Sequence, residues 1–156
     1  MKKEEFLTYL PQGTYGILST VDEAGMPEGR GWEFQFEEGN RYYFCTANTK
    51  AVYAQLQAHP KAAFTYMEPK GQYTVRINGE VHFVTDAAEK ARLWDKIDAL
   101  VQKMYQNVEN PVFEILYLDA CSCKLAKGFH PTEAVASVVG NKKALAVILD
   151  RSRCQG

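Results

Sequence analysis

Apolar and polar residues alternate along the chain with a period that changes from one segment to the next. In the first ten residues the apolar positions follow the helical period up to Pro11, which predicts a short amphipathic helix. Three later segments are rich in strand-forming residues and are separated by turn sequences: residues 15–21, 27–36 and 41–46. We therefore predict a three-stranded meander over residues 15–46.

A second helix is predicted over residues 50–58, directly after the meander. Val52 and Leu56 lie four residues apart and form its apolar stripe. Asn48 or Thr49 stands just before the helix, where a capping residue is expected.

The next strands are predicted over residues 62–67 and from residue 73 onward. The pair Asn78-Gly79 allows two structures, either a tight hairpin turn or a glycine bulge in one long bent strand that continues to residue 84. A longer helix follows, from a capping box that begins at Asp86 to about residue 105.

The last strands are predicted over residues 112–118 and 121–126. Residues 143–150 are apolar enough to pack as a helix or a strand, but residues 128–156 have no clear pattern. The count of six or seven strands, without regular strand–helix alternation, predicts a mainly β protein with inserted helices and antiparallel pairing, in a barrel or a sandwich.

The composition excludes several classes of protein. The 156 residues fit one domain with a buried core, and the net charge of -1 excludes a generally basic nucleic-acid binder. No apolar run approaches the roughly 18 residues of a membrane span, and the charged start of the chain lacks the apolar stretch of a signal peptide. We therefore expect a cytoplasmic protein with no nucleic-acid or membrane partner.

The cysteines and histidines do not predict a metal site. The 4 cysteines form no C-x-x-C pair, and the 3 histidines are scattered along the chain. A structural zinc site needs more ligands at suitable spacing. Unpaired thiols of this kind fit a reducing compartment.

The best candidate for binding chemistry is the junction between the third strand and the second helix. The first amides of a helix lack partners within the helix, and together with the helix dipole they favour an anion. Thr46, Asn48 and Thr49 add short polar side chains there, and Lys50 adds a positive charge. The junction is consistent with a phosphate site; the alternative is a plain helix cap beside a solvated lysine.

Arg30 is a candidate second cation for the same anion. It lies at the polar end of an otherwise aromatic face of the second strand. Gly29 and Gly31 flank it and allow a ligand or another backbone to approach closely. The alternative is an arginine at a sheet edge that pairs with a carboxylate such as Glu33.

Short motifs in residues 1–127 carry a family resemblance: GILST at 16–20, GMP at 25–27 followed by Arg30, YFCT at 43–46 with Asn48 and Lys50, VYxxL at 52–56 up to HP at 59–60, VRING at 75–79 and FEILYL at 113–118. Their order resembles that of the pyridoxamine 5'-phosphate oxidase-like, FMN-binding split-barrel proteins, particularly short bacterial members. The resemblance implies a six-stranded antiparallel split barrel over residues 1–127, with an extension of unknown structure at 128–156. It also implies a homodimer with FMN at the subunit interface, which the aromatic content of 12% supports.

The resemblance further assigns two sets of residues to FMN. The set at the phosphate is Arg30, Thr46, Asn48 and Lys50. The set at the flavin ring is Trp32, Glu33 and Thr74. It names no catalytic acid or base.

Two features of the oxidase itself are missing, namely its longer serine-rich and basic phosphate loop and its C-terminal strand with tryptophan and arginine. The resemblance therefore predicts an FMN-dependent oxidoreductase that is related to this oxidase but distinct from it, such as a flavin reductase or a nitroreductase-like enzyme. NADH or NADPH is the reductant expected by analogy. The alternatives are a non-catalytic flavin- or haem-binding protein for storage or sensing, and a barrel that binds no cofactor.

Overall fold

The structure is a computed structural model that describes residues 1–128 and 133–134. Its strands are β1 (Tyr15–Val21), β2 (Pro27–Glu33), β3 (Phe36–Glu38), β4 (Arg41–Ala47), β5 (Lys61–Met67), β6 (Tyr73–Phe83), β7 (Phe113–Lys127) and β8 (Glu133–Ala134). Its helices are α1 (Lys3–Leu7), α2 (Ala51–Ala58), α3 (Ala87–Trp94) and α4 (Ala99–Tyr105). Six strands are long, and β3 and β8 are short.

All described strands belong to one antiparallel sheet. Their order is β2-β1-β5-β6-β7-β4-β3, and β8 pairs with β7 beside this path. The sheet curls into a half-barrel whose two ends, β2 and β3, do not form a ladder with each other. The predicted mainly β, antiparallel fold with inserted helices is confirmed.

Side chains pack on both faces of the curled sheet. Alternate residues of the strands fill the concave face, where Leu18, Phe44, Phe64 and Ile77 are fully buried together with Phe6 of α1. A second cluster joins α3 and α4 to the opposite face of β4 and β7. The second cluster holds α4 beside β4, and α4 forms part of a cavity wall there.

The pair Asn78-Gly79 forms a bulge within one long strand and not a hairpin. Asn78 pairs with Ser122 and Gly79 pairs with Ala120, so residue 121 of β7 has no opposite residue. A Cβ atom on Gly79 would collide with the carbonyl oxygen of Asp119, which explains why glycine stands there. The same pairing joins the predicted strands 112–118 and 121–126 into β7.

The predicted strand 27–36 is interrupted after Glu33, because the chain changes its pairing partner there. The amide of Phe34 donates to the carbonyl oxygen of Thr14 (2.8 Å), whereas the amide of Gln35 donates to the carbonyl oxygen of Tyr43 (3.0 Å). The chain thus crosses from the β1 side of the sheet to the β4 side.

The single helix predicted over residues 86–105 is instead two helices, α3 and α4. Asp86 caps α3, as predicted, by accepting from the amide of Glu89. Asp98 starts α4 by accepting from the amide of Leu100, and Ile97 is buried between the two helices. The apolar stripe continues through residues 86–105, but the cap at Asp98 starts a new helix within it. The predicted packing of residues 143–150 lies outside the described residues.

Candidate cofactor site

A cavity of about 390 Å³ opens beside β2, at the end of the sheet. Its walls come from β2, the start of α2, α4 and neighbouring parts of the sheet. The lining residues are Tyr15, Glu28, Arg30, Gly31, Trp32, Glu33, Gln35, Cys45, Lys50, Ala51, Val52, Val101, Met104 and Tyr105. Its volume falls within the usual range for small-molecule sites.

Arg30 reaches this cavity from β2, with its guanidinium held by three side chains. Nη1 donates to Oγ1 of Thr20 (2.7 Å), and Nη2 donates to Oε1 of Gln55 (3.0 Å) and to Oε2 of Glu28 (2.9 Å). The carboxylate partner is Glu28 and not Glu33, because Glu28 lies two residues from Arg30 on the same face of the strand. Arg30 is therefore both paired and part of the cavity wall.

Lys50 lines the same cavity from the start of α2. It occupies the position before the first helical residue in extended conformation, and its side chain is exposed. Among the described residues, no carboxylate pairs with its Nζ. The structure thus brings the two predicted cations to one cavity, from two different elements.

Asn48 and Thr49 precede α2 but do not cap it, so the predicted cap is wrong. The helix begins after Lys50 and has no side-chain cap. The side-chain nitrogen Nδ2 of Asn48 donates instead to the carbonyl oxygen of Pro111 (2.9 Å) and to Oε1 of Glu114 (3.1 Å). Thr49 is exposed, and neither residue lines the cavity.

Thr46 and Thr74 also lie apart from the cavity wall. Thr46 is fully buried on the concave face of β4, and its hydroxyl has no hydrogen-bond partner among the described residues. Thr74 is half-buried on β6, opposite Met67 and Ala126. Of the predicted site residues, the cavity brings together Arg30, Trp32, Glu33 and Lys50.

Trp32 and Glu33 line the cavity from opposite faces of β2. The indole of Trp32 belongs to the concave core and is only 7% exposed. The carboxylate of Glu33 is half-buried and accepts from Nε2 of Gln35 (3.2 Å). The cavity therefore has an aromatic part and a polar part side by side.

The part of the cavity wall that α4 forms was not predicted. Val101 and Tyr105 are buried against β4, whereas Met104 is 70% exposed at the cavity. These residues lie more than fifty positions after β4, and a helical apolar stripe does not reveal which strand it covers. Glu28 and Gln35 were missed because each is an ordinary polar strand residue in the sequence.

Cys45 is the one thiol among the described lining residues, and it is protonated at neutral pH. Burial raises the pKa of Cys45, and the nearby charge of Glu33 raises it further. Burial also raises the pKa of Tyr105. Neither group is an activated nucleophile or base, since only the ionised thiol is strongly nucleophilic.

Other kinds of site find little support in residues 1–128 and 133–134. No group of three or more histidine, cysteine, aspartate or glutamate side chains in this part of the chain is arranged to hold a metal ion. No helix there has the length and apolar character to cross a membrane. The cavity is suited to an anionic ligand with an aromatic part.

The chain is similar to curated enzymes over about half of its length. Over 74 residues the chain is 35% identical to the pyridoxine/pyridoxamine 5'-phosphate oxidase of Azorhizobium caulinodans, a match that covers 47% of this chain and 35% of that enzyme. The chain thus matches about a third of the length of this curated relative.

Solved structures share the fold. A nimC/nimA family protein from Clostridium acetobutylicum superposes with a TM-score of 0.71 at 22% identity, covering 85% of this chain and 90% of that one. A pyridoxamine 5'-phosphate oxidase-related, FMN-binding protein from Nostoc punctiforme gives 0.65 at 17% identity, covering 85% and 93%. A haem-binding protein from Mycobacterium smegmatis gives 0.69 at 17% identity, covering 92% and 59%.

The family assignment rests on the sequence match. Residues 3–122, which include every strand from β1 to β6 and most of β7, match the family described as pyridoxamine 5'-phosphate oxidase. The predicted split-barrel resemblance is confirmed, and the chain belongs to the pyridoxamine 5'-phosphate oxidase family.

Proposed function

We propose that the chain is an FMN-binding flavoprotein that holds the cofactor in the cavity beside β2. The observation that carries the proposal is the convergence of Arg30 and Lys50, from β2 and the start of α2, on one cavity that also contains Trp32. Phosphate groups are bound by cationic donors, and a flavin ring needs aromatic and apolar walls.

The residues present fit FMN in kind. Lys50 is the available cation for the phosphate, because it has no carboxylate partner among the described residues. Arg30 is the second, once its hydrogen bond to Glu28 is exchanged for one to the ligand. Trp32, Val101 and Tyr105 provide the apolar surface for the ring.

We further propose an oxidoreductase activity of the flavin-reductase or nitroreductase-like kind, with NADH or NADPH as the reductant. Bound FMN supplies the electron-transfer chemistry, and the protein binds and orients the reactants. The cavity has no activated thiol, since Cys45 stays protonated. Oxidation of NADH or NADPH by the FMN-loaded protein tests this activity, and its absence with both would favour a storage or sensing role.

A homodimer with FMN between the subunits is part of the proposal. Tyr15 and Met104 line the cavity, yet they are 65% and 70% exposed, and Leu100 and Ile17 add further exposed apolar surface. Such surface is typical of interfaces. Light scattering at micromolar concentration should give twice the monomer mass, and a monomer would contradict a shared site.

Haem is the alternative ligand. A haem iron is usually held by a histidine, cysteine, methionine or tyrosine side chain. Neither His59 nor His82 lines the cavity, whereas Tyr15, Cys45, Met104 and Tyr105 do. Flavin is favoured because Arg30 and Lys50 suit the phosphate of FMN, while the described lining residues offer a haem iron no histidine. Absorbance titration with haem and with FMN separates the two ligands.

The variant Lys50→Ala tests the assignment of the phosphate. Loss of a charge-assisted hydrogen bond should weaken FMN by roughly tenfold or more, but should leave riboflavin, which has no phosphate, nearly unchanged. Lys70→Ala is the matched control, because Lys70 is an exposed lysine in the turn after β5. Fluorescence titration of each variant with both flavins measures the effect. Equal FMN affinity of the parent protein and Lys50→Ala would refute the assignment.

A further inference from the structure

The carboxylate of Glu28 occupies a small anion site within the cavity. Its Oε2 accepts from Nη2 of Arg30 (2.9 Å) and from Nε2 of Gln55 (2.7 Å). Gln55 is only 9% exposed and does not itself line the cavity; it lies behind Glu28 and Arg30, which do, and comes from α2, the same helix that begins after Lys50. Two donors from two elements thus converge on one oxygen, which is the arrangement that an anionic ligand group requires.

Two hydrogen bonds to the side-chain oxygen of Gln55 hold the residue in place. Its Oε1 accepts from Oγ1 of Thr20 (2.7 Å) and from Nη2 of Arg30 (3.0 Å). Thr20 is 2% exposed and donates from the core side. Because Oε1 is engaged twice, the amide group of Gln55 has one orientation, with Nε2 directed at the carboxylate.

The side chain of Glu28, in contrast, is held only at its carboxylate. That side chain is 48% exposed, and among the described residues its carboxylate makes no hydrogen bond other than those to Arg30 and Gln55. The acidic and basic side chains of the cavity wall are Glu28, Glu33, Arg30 and Lys50, so their formal charges cancel. A doubly charged phosphate therefore meets a cationic site only when Glu28 leaves Arg30.

We propose that Glu28 is a built-in competitor of the ligand's phosphate, and that the phosphate takes its place on Arg30 and Gln55. This inference rests on the proposed function, because it concerns the same cavity and the same ligand. It makes Gln55 a third phosphate donor, in addition to the two cations. It also makes Glu28 a residue that determines how strongly the protein prefers FMN over riboflavin.

The test measures FMN and riboflavin affinity by fluorescence titration of the parent protein, Glu28→Gln and Glu28→Ala. Release of Arg30 from a half-exposed ion pair should tighten FMN by about two- to fivefold and leave riboflavin unchanged. Glu23→Gln is the matched control, because it removes an equal charge from the exposed turn before β2. Unfolding curves of the variants check that the fold is intact, which the exposure of Glu28 favours.

The results distinguish a competing Glu28 from one that positions Arg30 and from a general effect of charge. Unchanged or weaker FMN binding by both Glu28 variants would overturn the inference, because it would mean that Glu28 positions Arg30 for the ligand. An equal gain for riboflavin, or an equal gain in Glu23→Gln, would also overturn it. If the parent protein bound no FMN, the proposed function would fail and the inference with it. If the parent bound FMN and neither Glu28 variant bound it more tightly, only the inference would fail.

Discussion

Gln35 lies where the chain crosses from β1 to β4, and it hydrogen-bonds to the start of α4, which lines the cavity. Replacing Gln35 tests whether this hydrogen bond holds α4 in place. Its side chain is 1% exposed. Its Oε1 accepts from the amide of Asp98 (2.9 Å), at the start of α4, and its Nε2 donates to Oε1 of Glu33 (3.2 Å). The variant Gln35→Met keeps the length of the side chain but removes both hydrogen bonds.

The expected loss of stability follows from the groups left without partners. Methionine fills a similar volume, so the change creates little cavity. The amide of Asp98 and the carboxylate of Glu33, both half-buried, lose their partner, and an unsatisfied buried group costs about 1–3 kcal/mol. We therefore expect the free energy of unfolding to fall by about 1–3 kcal/mol. FMN affinity should fall as well, because α4 then holds Val101 and Tyr105 less firmly against the cavity.

Urea unfolding followed by tryptophan fluorescence measures the loss. Gln57→Met is the matched control, because Gln57 is exposed on α2 and the two residue types have similar helix propensity. If Gln35→Met lost no more stability than Gln57→Met, the hydrogen bond to Asp98 would not hold α4, and the reasoning would be refuted.

Two further changes probe the sheet and its surface. Gly79→Ala places a Cβ atom against the carbonyl of Asp119, so β7 must shift at the bulge; we expect a loss of about 1–3 kcal/mol in thermal unfolding, and an unchanged midpoint would contradict the close approach. The hydrogen bonds of Arg92 and Lys96 lower the pKa of Glu38 from 4.5 to about 2, so its stabilising effect is complete above pH 4.5 and is lost as the pH falls towards 2. Glu38→Gln should therefore lower the melting temperature at pH 7 but much less near pH 2, and an equal effect at both would argue against the ion pair.

Local patterns in the sequence predicted the elements but not their limits. Strand-forming residues and the turn sequences between them placed β1, β4 and β5 correctly, although β4 is buried on both faces and has no alternating pattern. The break between β2 and β3 was missed, because it arises where the chain exchanges β1 for β4 as its partner. Which strand a segment pairs with depends on residues far away in the sequence, and the residue types of Phe34 and Gln35 do not indicate the change of partner.

The site was predictable to the extent that it is local. Arg30 and Lys50 could be proposed together because a lysine at a helix start and an arginine flanked by glycines both favour an anion; the resemblance gave the same two positions, and both residues line the cavity. Glu33 was named as a possible partner of Arg30, although the alternation of a strand already places Glu28, and not Glu33, on the face of Arg30. Gln55 was seen as one more polar residue of a helix, because its role depends on the contact of α2 with β1 and β2.

The position of the cavity follows from the topology of the sheet. Within the described residues β2 forms a ladder only with β1, so its other edge has no strand beside it. An open edge is usually covered, because its backbone groups would otherwise pair with another chain. Here residues at the start of α2 and on α4 line one cavity together with side chains from both faces of β2. Because the crossing at Phe34 and Gln35 carries the chain away to β4, the same irregularity that interrupts the predicted strand also creates the room for a ligand.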